Sequence, residues 1–209
     1  WAVAARVNGP LGQSEIGTGQ DSQVLSPVTA EGQISRGRKL RINGNTEKST
    51  RVLGDYLRMI WLTPSMDRLF QGSSGERRRF LDRIVLASDP GHSTRVNAFE
   101  AAMRERNKLL EQRTPDPDWL TSLETQMAEN AIAISAARLE TVGRISALME
   151  EREHGGKDTA FPRASISIEG QIEEGLQGLS ALEVEEQYRK ILRDSREADS
   201  YAGRALKGP

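Results

Sequence analysis

The sequence predicts an α+β fold in which a long helical region interrupts sheet. Three observations carry that prediction. Residues before Leu62, and again over Ala164–Glu169, alternate apolar and polar with the two-residue period of strands. Between them, apolar residues recur at intervals of three and four, the period of a helix face. Proline, glycine and cap residues punctuate the change of pattern at Thr63-Pro64 and at Gly155-Gly156. The expected organisation is a β-rich part at 1–62, a helical part at 63–157, and a return to strand plus helix at 158–209.

In chain order, the candidate strands are Ala2–Asn8, Glu15–Gly19 and Lys39–Asn43, with turn chemistry at Asn8-Gly9-Pro10 and Asn43-Gly44-Asn45. The polar stretch Asp21–Arg38 is expected to be a loop, and Ser49–Leu57 a short helix. Arg58–Leu62 is apolar on consecutive residues, as in a strand covered on both faces. Thr63-Pro64 then opens a turn of helix. Ser73 and Glu76 form a capping box for a helix over Ser74–Ser88, which stops before Asp89-Pro90-Gly91. Thr94–Arg113 carries Val96, Phe99, Met103 and Leu110 on one stripe.

Thr114–Asp118 breaks the pattern, with Asp116 as a cap before Pro117. The longest helix follows, from about Trp119 to Arg152, striped by Leu123, Met127, Ala131, Ile134, Arg138 (stem only), Val142, Ile145 and Met149. Together the last two helices form a hairpin about 50 Å long on its longer arm at 1.5 Å per residue. Its stripe is either the hairpin's own core or, in part, a docking face. Gly155-Gly156 ends it as a C-cap, Ala164–Glu169 is a strand, and Ser180 with Glu183 caps a helix over Ala181–Ala198.

A chain of 209 residues with 36% hydrophobic and 28% charged content folds as a protein rich in surface helix rather than remaining disordered. A net charge of −1 supplies no global basic field, so nucleic-acid binding requires a local patch. With zero cysteines there is neither disulfide nor thiolate-ligated zinc, a composition compatible with a reducing cytoplasm. No apolar run reaches membrane-spanning length and no signal peptide is visible. Trp1 starts inside an alternating run and Pro209 follows with no tail, so the chain is expected to be an internal piece of a longer protein.

Nucleotide chemistry lacks its motif. Gly155-Gly156-Lys157-Asp158 follows a helix instead of opening one, and Asp158 stands where a P-loop needs a hydroxyl. Gly17-Thr18-Gly19 is a lone glycine pair. His92 and His154 are too few for a histidine-rich metal site, and Glu150 with His154 reads as a solvated helix end. Glu183, Glu185 and Glu186 suit the positive end of a helix dipole. No catalytic or metal-ligating residue is assigned. The arginine run Arg77-Arg78-Arg79 admits two readings. Either it ties its helix to Asp82 or a neighbouring lobe, or Arg77 and Arg78, joined by Arg104 and Arg106 on the next helix, contact nucleic-acid phosphates.

A resemblance sharpens these alternatives. Proline opening a turn, then Leu69 to Gly72, then Arg77-Arg78-Arg79-Phe80-Leu81-Asp82, then Arg106-Asn107 to Leu110, is similar in content and spacing to the middle of the RecF family. Arg193-Asp194 through Gly203 to Gly208-Pro209 resembles that family's later glycine-proline run. Two departures are Pro64-Ser65-Met66, where relatives have an acidic residue after proline, and Ala205, where threonine is common.

The resemblance implies an ABC/SMC-type ATPase head with a mixed sheet and an inserted helical-hairpin lobe. It implies ATP and Mg²⁺ as cofactors of the full-length family member, held by residues expected before Trp1 and after Pro209. It further implies an ATP-dependent homodimer in the cytoplasm that binds DNA at gaps and single-strand/double-strand junctions, with RecO and RecR as partners in loading RecA. The alternative is a non-enzymatic helical-hairpin module that docks proteins.

Overall fold

The computed structural model describes residues 1–9, 11–20, 38–112, 114–154, 164–206 and 208–209. The chain divides into two compact units, Trp1–Trp61 and Leu62–Pro209.

The first unit is an antiparallel meander of four strands in the order β1 (Ala2–Gly9), β2 (Gly12–Gln20), β3 (Arg38–Ile42) and β4 (Asn45–Glu47). Asn43 and Gly44 turn β3 into β4 with φ of 50° and 83°, the left-handed backbone that a tight hairpin demands. Asn43 also accepts the Glu15 N–H through Oδ1 at 2.8 Å, fastening the turn to β2. One face is a small core of Ile16, Leu40 and Ile42, covered by Val7, Val52, Leu53 and Tyr56. Val52 closes a 3-10 turn, Thr50–Val52, and Leu53 and Tyr56 lie on the one-turn helix α1 (Leu53–Tyr56). The three expected strands are therefore present, and β4 is an addition too short to show a period. The expected loop Asp21–Arg38 lies outside the described residues except for Arg38, which begins β3.

Arg58–Leu62, expected as a strand, lies in none of the strands among the described residues. Its side chains Met59, Ile60, Trp61 and Leu62 are exposed. Consecutive apolar residues encode a strand only where sheet neighbours and two covering layers exist, and among the described residues this run has neither. Ala164–Glu169, expected as a strand from its alternation, likewise lies in no strand among the described residues.

The second unit is helical. A 3-10 helix (Pro64–Gln71) leads into α2 (Ser74–Ser88), α3 (His92–Leu110), α4 (Pro117–His154), α5 (Gln171–Gly178), α6 (Ala181–Asp194) and α7 (Arg196–Ala202). Both capping boxes form: Ser73 with Glu76 at α2, and Ser180 with Glu183 at α6. Asp116 Oδ1 accepts the N–H groups of Asp118 and Trp119 at 2.9 and 3.2 Å, so α4 begins at Pro117. The Gly155-Gly156 stop lies outside the described residues.

At 38 residues, α4 is about 57 Å long by helical rise and is the axis of the unit. Its expected stripe is buried at Leu123, Met127, Ala131, Ile134, Arg138 and Val142 and half-buried at Ile145 and Met149. Both α3 and α2 pack on α4, α3 running beside its first half and α2 continuing beyond. The stripe is thus covered within the chain. Glu124, Ala128 and Ser135, one residue round the helix, are buried as well. Through them α4 meets α5, α6 and α7, so it is sandwiched rather than one-sided.

α6 contributes Val184, Tyr188 and Leu192 to this core at intervals of four. The expected Ala181–Ala198 helix breaks at Ser195, whose hydroxyl instead accepts and donates among Arg106, Asp199 and the Leu192 carbonyl. α7 ends at Gly203, which has φ 64°. There the Arg204 N–H reaches the Asp199 carbonyl and the Gly203 N–H that of Ser200, both at 3.2 Å, the two bonds of a Schellman stop.

Candidate nucleic-acid interface

The capping box that starts α2 also fixes where its arginines stand. Residues on a helix are about 100° apart, so three arginines in a row fan over most of the circumference. All three are exposed. Each reaches back one turn: Arg77 Nη1 donates to the Gly72 carbonyl at 2.7 Å, Arg78 Nη2 to Ser74 Oγ at 3.4 Å, and Arg79 Nε to the Gly75 carbonyl at 3.3 Å. None of these bonds goes to Asp82, so the expected tie between the run and that carboxylate does not form. Gly72 is confined by the cap, because a Cβ there would run into the Glu76 carboxylate. Arg104 on α3 is 66% exposed and pairs loosely with Glu100 at 3.5 Å.

Arg106 is a correction. Expected with Arg104 on a phosphate-facing surface, it is fully buried. Its Nε donates to Glu124 Oε1 at 3.0 Å, Nη1 to Asp199 Oδ2 at 2.7 Å, and Nη2 to the Leu192 carbonyl at 2.6 Å. Arg196 completes the cluster by donating to both oxygens of Glu124, at 2.9 and 2.6 Å. The signal was present in the spacing, since position 106 falls three after Met103 and four before Leu110, on the apolar stripe itself. Burial raises the Asp199 carboxyl pKa, but hydrogen bonds from Ser195, the Leu206 N–H and Arg106 outweigh it, leaving the pKa below the ordinary carboxylate value.

Asp82 belongs to a second buried cluster. Arg138 donates to it twice, through Nε at 2.8 Å and Nη2 at 3.0 Å. The His92 Nε2 lies 2.8 Å from the same carboxylate. Arg138 Nη1 also stands 3.9 Å from Glu173, which accepts from Ser135 at 2.7 Å. Burial pushes Asp82 up, and the bonds to His92 and Arg138 bring it below its usual value. His92 is thus a core histidine at the α2–α3 joint, a role its sequence setting did not signal. The His154 side chain lies outside the described residues, as does Lys157. Glu183 is held by its cap, and Glu186 pairs with Arg189. Among the described residues no group of three or more His, Asp or Glu is placed to hold a metal ion, and no helix is long and apolar enough to cross a membrane.

No family model matches the chain. The structure is similar over 100% of its length to 53% of a solved chain described as the recombination mediator protein RecF-ATPrS in the RecFOR pathway, with a TM-score of 0.78 at 16% identity. A second solved RecF, with ATP, gives a TM-score of 0.70 at 18% identity. The fold is thus α+β and shared with these RecF structures. Sequence narrows the class. Over all 209 residues the chain is 46% identical to the DNA replication and repair protein RecF of Mesorhizobium japonicum, 45% to that of Rhizobium meliloti and 44% to that of Agrobacterium fabrum. The chain belongs to the RecF family, and spans about half the length of the curated relatives it matches, 52% in each of these.

Proposed function

We propose that this chain is the central part of a RecF-type DNA repair ATPase. In this reading the protein binds DNA at gaps and single-strand/double-strand junctions in an ATP-dependent way, dimerises on ATP, and works in the cytoplasm with RecO and RecR to load RecA. The observation that carries it is the match to curated RecF sequences along the whole of this chain. ATP and Mg²⁺ are held by family motifs this sequence does not contain, so no catalytic residue is assigned here. Residues 1–62 and 158–209 form part of the ATPase lobe, and 63–157 form the helical lobe. On that division, the Arg106 cluster clamps the returning segment onto the helical lobe, and it joins the two stretches where the family resemblance is densest.

Exposed Arg77, Arg78 and Arg104 are the phosphate contacts in this reading; buried Arg106 is their scaffold. The docking-module alternative loses ground because α4 is covered by other helices of its own chain. The test uses the full-length protein. Removing one arginine–phosphate ion pair should flatten the slope of log K against log salt by about 0.9. Arg77→Ala and Arg78→Ala should each do so while secondary structure is retained. An unchanged slope in both variants would remove the arginine run from the interface.

A further inference from the structure

Beside the arginines that fan outward, a separate cleft opens between the 3-10 helix and α2. It is lined by Met66, Arg68, Leu69, Glu76, Arg79 and Arg83, with a volume of about 890 Å³. Its α2 wall is Glu76, Arg79 and Arg83, spaced three and four apart on one stripe. Arg77 and Arg78 stand about 100° and 200° round the helix from Glu76, so the cleft is independent of the face they occupy.

We propose that this cleft is a binding site for a phosphate group. Three guanidinium groups and one carboxylate line it. That carboxylate is already engaged, because Glu76 accepts the Ser73 N–H at 3.0 Å as part of the capping box. Two of the cations, Arg79 and Arg83, are held in place. Arg83 Nη2 lies 3.9 Å from Met66 Sδ, reaching across to the opposite wall, and its guanidinium sits 5.7 Å over the Phe80 ring. Arg79 is fixed along its Nε edge by the Gly75 carbonyl. A guanidinium held by one edge offers the fork of another to an oxyanion, and phosphate has oxygens enough for several forks at once. Met66 and Leu69 supply apolar walls that lower the local dielectric and strengthen each contact. The volume admits a nucleotide or a short run of nucleic-acid backbone, and both present the same chemistry.

A site-resolved test avoids confusion with phosphate bound elsewhere on the full-length protein. Phenylglyoxal modification of individual arginines is followed by mass spectrometry with and without inorganic pyrophosphate. At pyrophosphate ten-fold above its Kd, modification of Arg68 and Arg79 should slow roughly ten-fold. Arg144, which is 68% exposed and outside both proposed sites, should be unaffected. Arg68→Gln, a change on an exposed turn, should abolish protection at Arg79. Equal rates with and without pyrophosphate at Arg68 and Arg79 would overturn the proposal, as would protection of Arg79 that survives Arg68→Gln. Repeating the experiment with ATP and with a short oligothymidylate identifies the source, since the better protector of the pair supplies the phosphate. The salt-slope test above reads a different face, so either result can fail alone.

Discussion

Two buried arginine clusters brace α4, and they differ in closure. At the Arg106 cluster the side chains of Arg106, Glu124 and Asp199 are 0%, 3% and 0% exposed, and solvent reaches only the outer Arg196, at 22%. At the Arg138 cluster Asp82 keeps 17% of its side chain in solvent, and His92 leaves its buried Nδ1 without a partner. The first joins segments some ninety residues apart in sequence. The second sits where Asp89-Pro90-Gly91 breaks α2 from α3. A closed cluster gives its charges no alternative to one another, whereas an open one lets water substitute. Removing a partner should therefore cost more at Arg106 than at Arg138, even though both are arginine–carboxylate pairs.

Arg106→Met tests the closed cluster and carries the largest expected effect. It leaves Asp199 without a cation in the core, while Glu124 keeps Arg196, a loss on the order of 3–5 kcal/mol. Amide hydrogen exchange in the full-length protein should show protection collapsing in α6 and α7. Arg106→Lys should not restore it, because one ammonium cannot hold three acceptors on separate helices in the guanidinium's planar fork. Protection unchanged by Arg106→Met would mean that the cluster is incidental.

Arg138→Met tests the open cluster. Asp82 then retains His92 and its solvent-facing side, so the expected loss is smaller, about 1–3 kcal/mol. It should be confined to the α2–α3 joint and the facing turn of α4. If the two arginine variants cost the same, closure is not what separates the clusters.

The contrast between the clusters also explains what was legible in the sequence. Helices showed because caps and apolar spacing are local: Ser73–Glu76, Ser180–Glu183, Asp116-Pro117 and the Leu123–Val142 stripe all act within a few residues. The α2 boundaries fell on the expected residues, and the hairpin turn at Asn43-Gly44 was visible for the same reason. Arg106 was assigned to the surface because residue type was weighed above phase. The stripe through Met103 and Leu110 placed it inward. Asp82 and His92 could not be paired from sequence, because their meeting depends on α2 and α3 stacking end to end along α4. The strands expected at Arg58–Leu62 and Ala164–Glu169 failed because an apolar run or an alternation records what a segment could pair with, not what it meets in this chain. Helix α5 was missed; its acidic first turn, Glu173 and Glu174, was the available clue.

A smaller effect attends the end of α7, beyond the closed cluster. Gly203 holds φ 64°, where an added Cβ costs roughly 1 kcal/mol through backbone strain alone, since nothing lies within reach of it. Gly203→Ala should loosen the Schellman stop and raise exchange at Arg204 and Leu206, whose amides bond back to Asp199. Loosening that spread to α3 would show that the closed cluster depends on its C-terminal lid.

The smallest effect near neutrality is the pH dependence, and it separates the clusters without altering their packing. Asp82 and Asp199 are both held below the ordinary carboxylate value. A carboxyl depressed in the folded state contributes stability that is fully present above its unfolded pKa of about 3.9. That contribution is lost as pH falls through the folded value, because protons then bind the unfolded chain more readily than the native one. The contribution of either aspartate should be constant between about pH 5 and 7, and both should withdraw support below about pH 4. Protection, corrected for intrinsic exchange, should fall at the α2–α3 joint and at α6–α7 over that acid range. Asp82→Asn should flatten the decline at the joint alone. The uncharged amide titrates no proton, and it remains able to accept from Arg138 on the open side of the cluster. If Asp82→Asn flattens both regions together, the two clusters are one cooperative unit, and the distinction between closed and open becomes a matter of exposure rather than of energy.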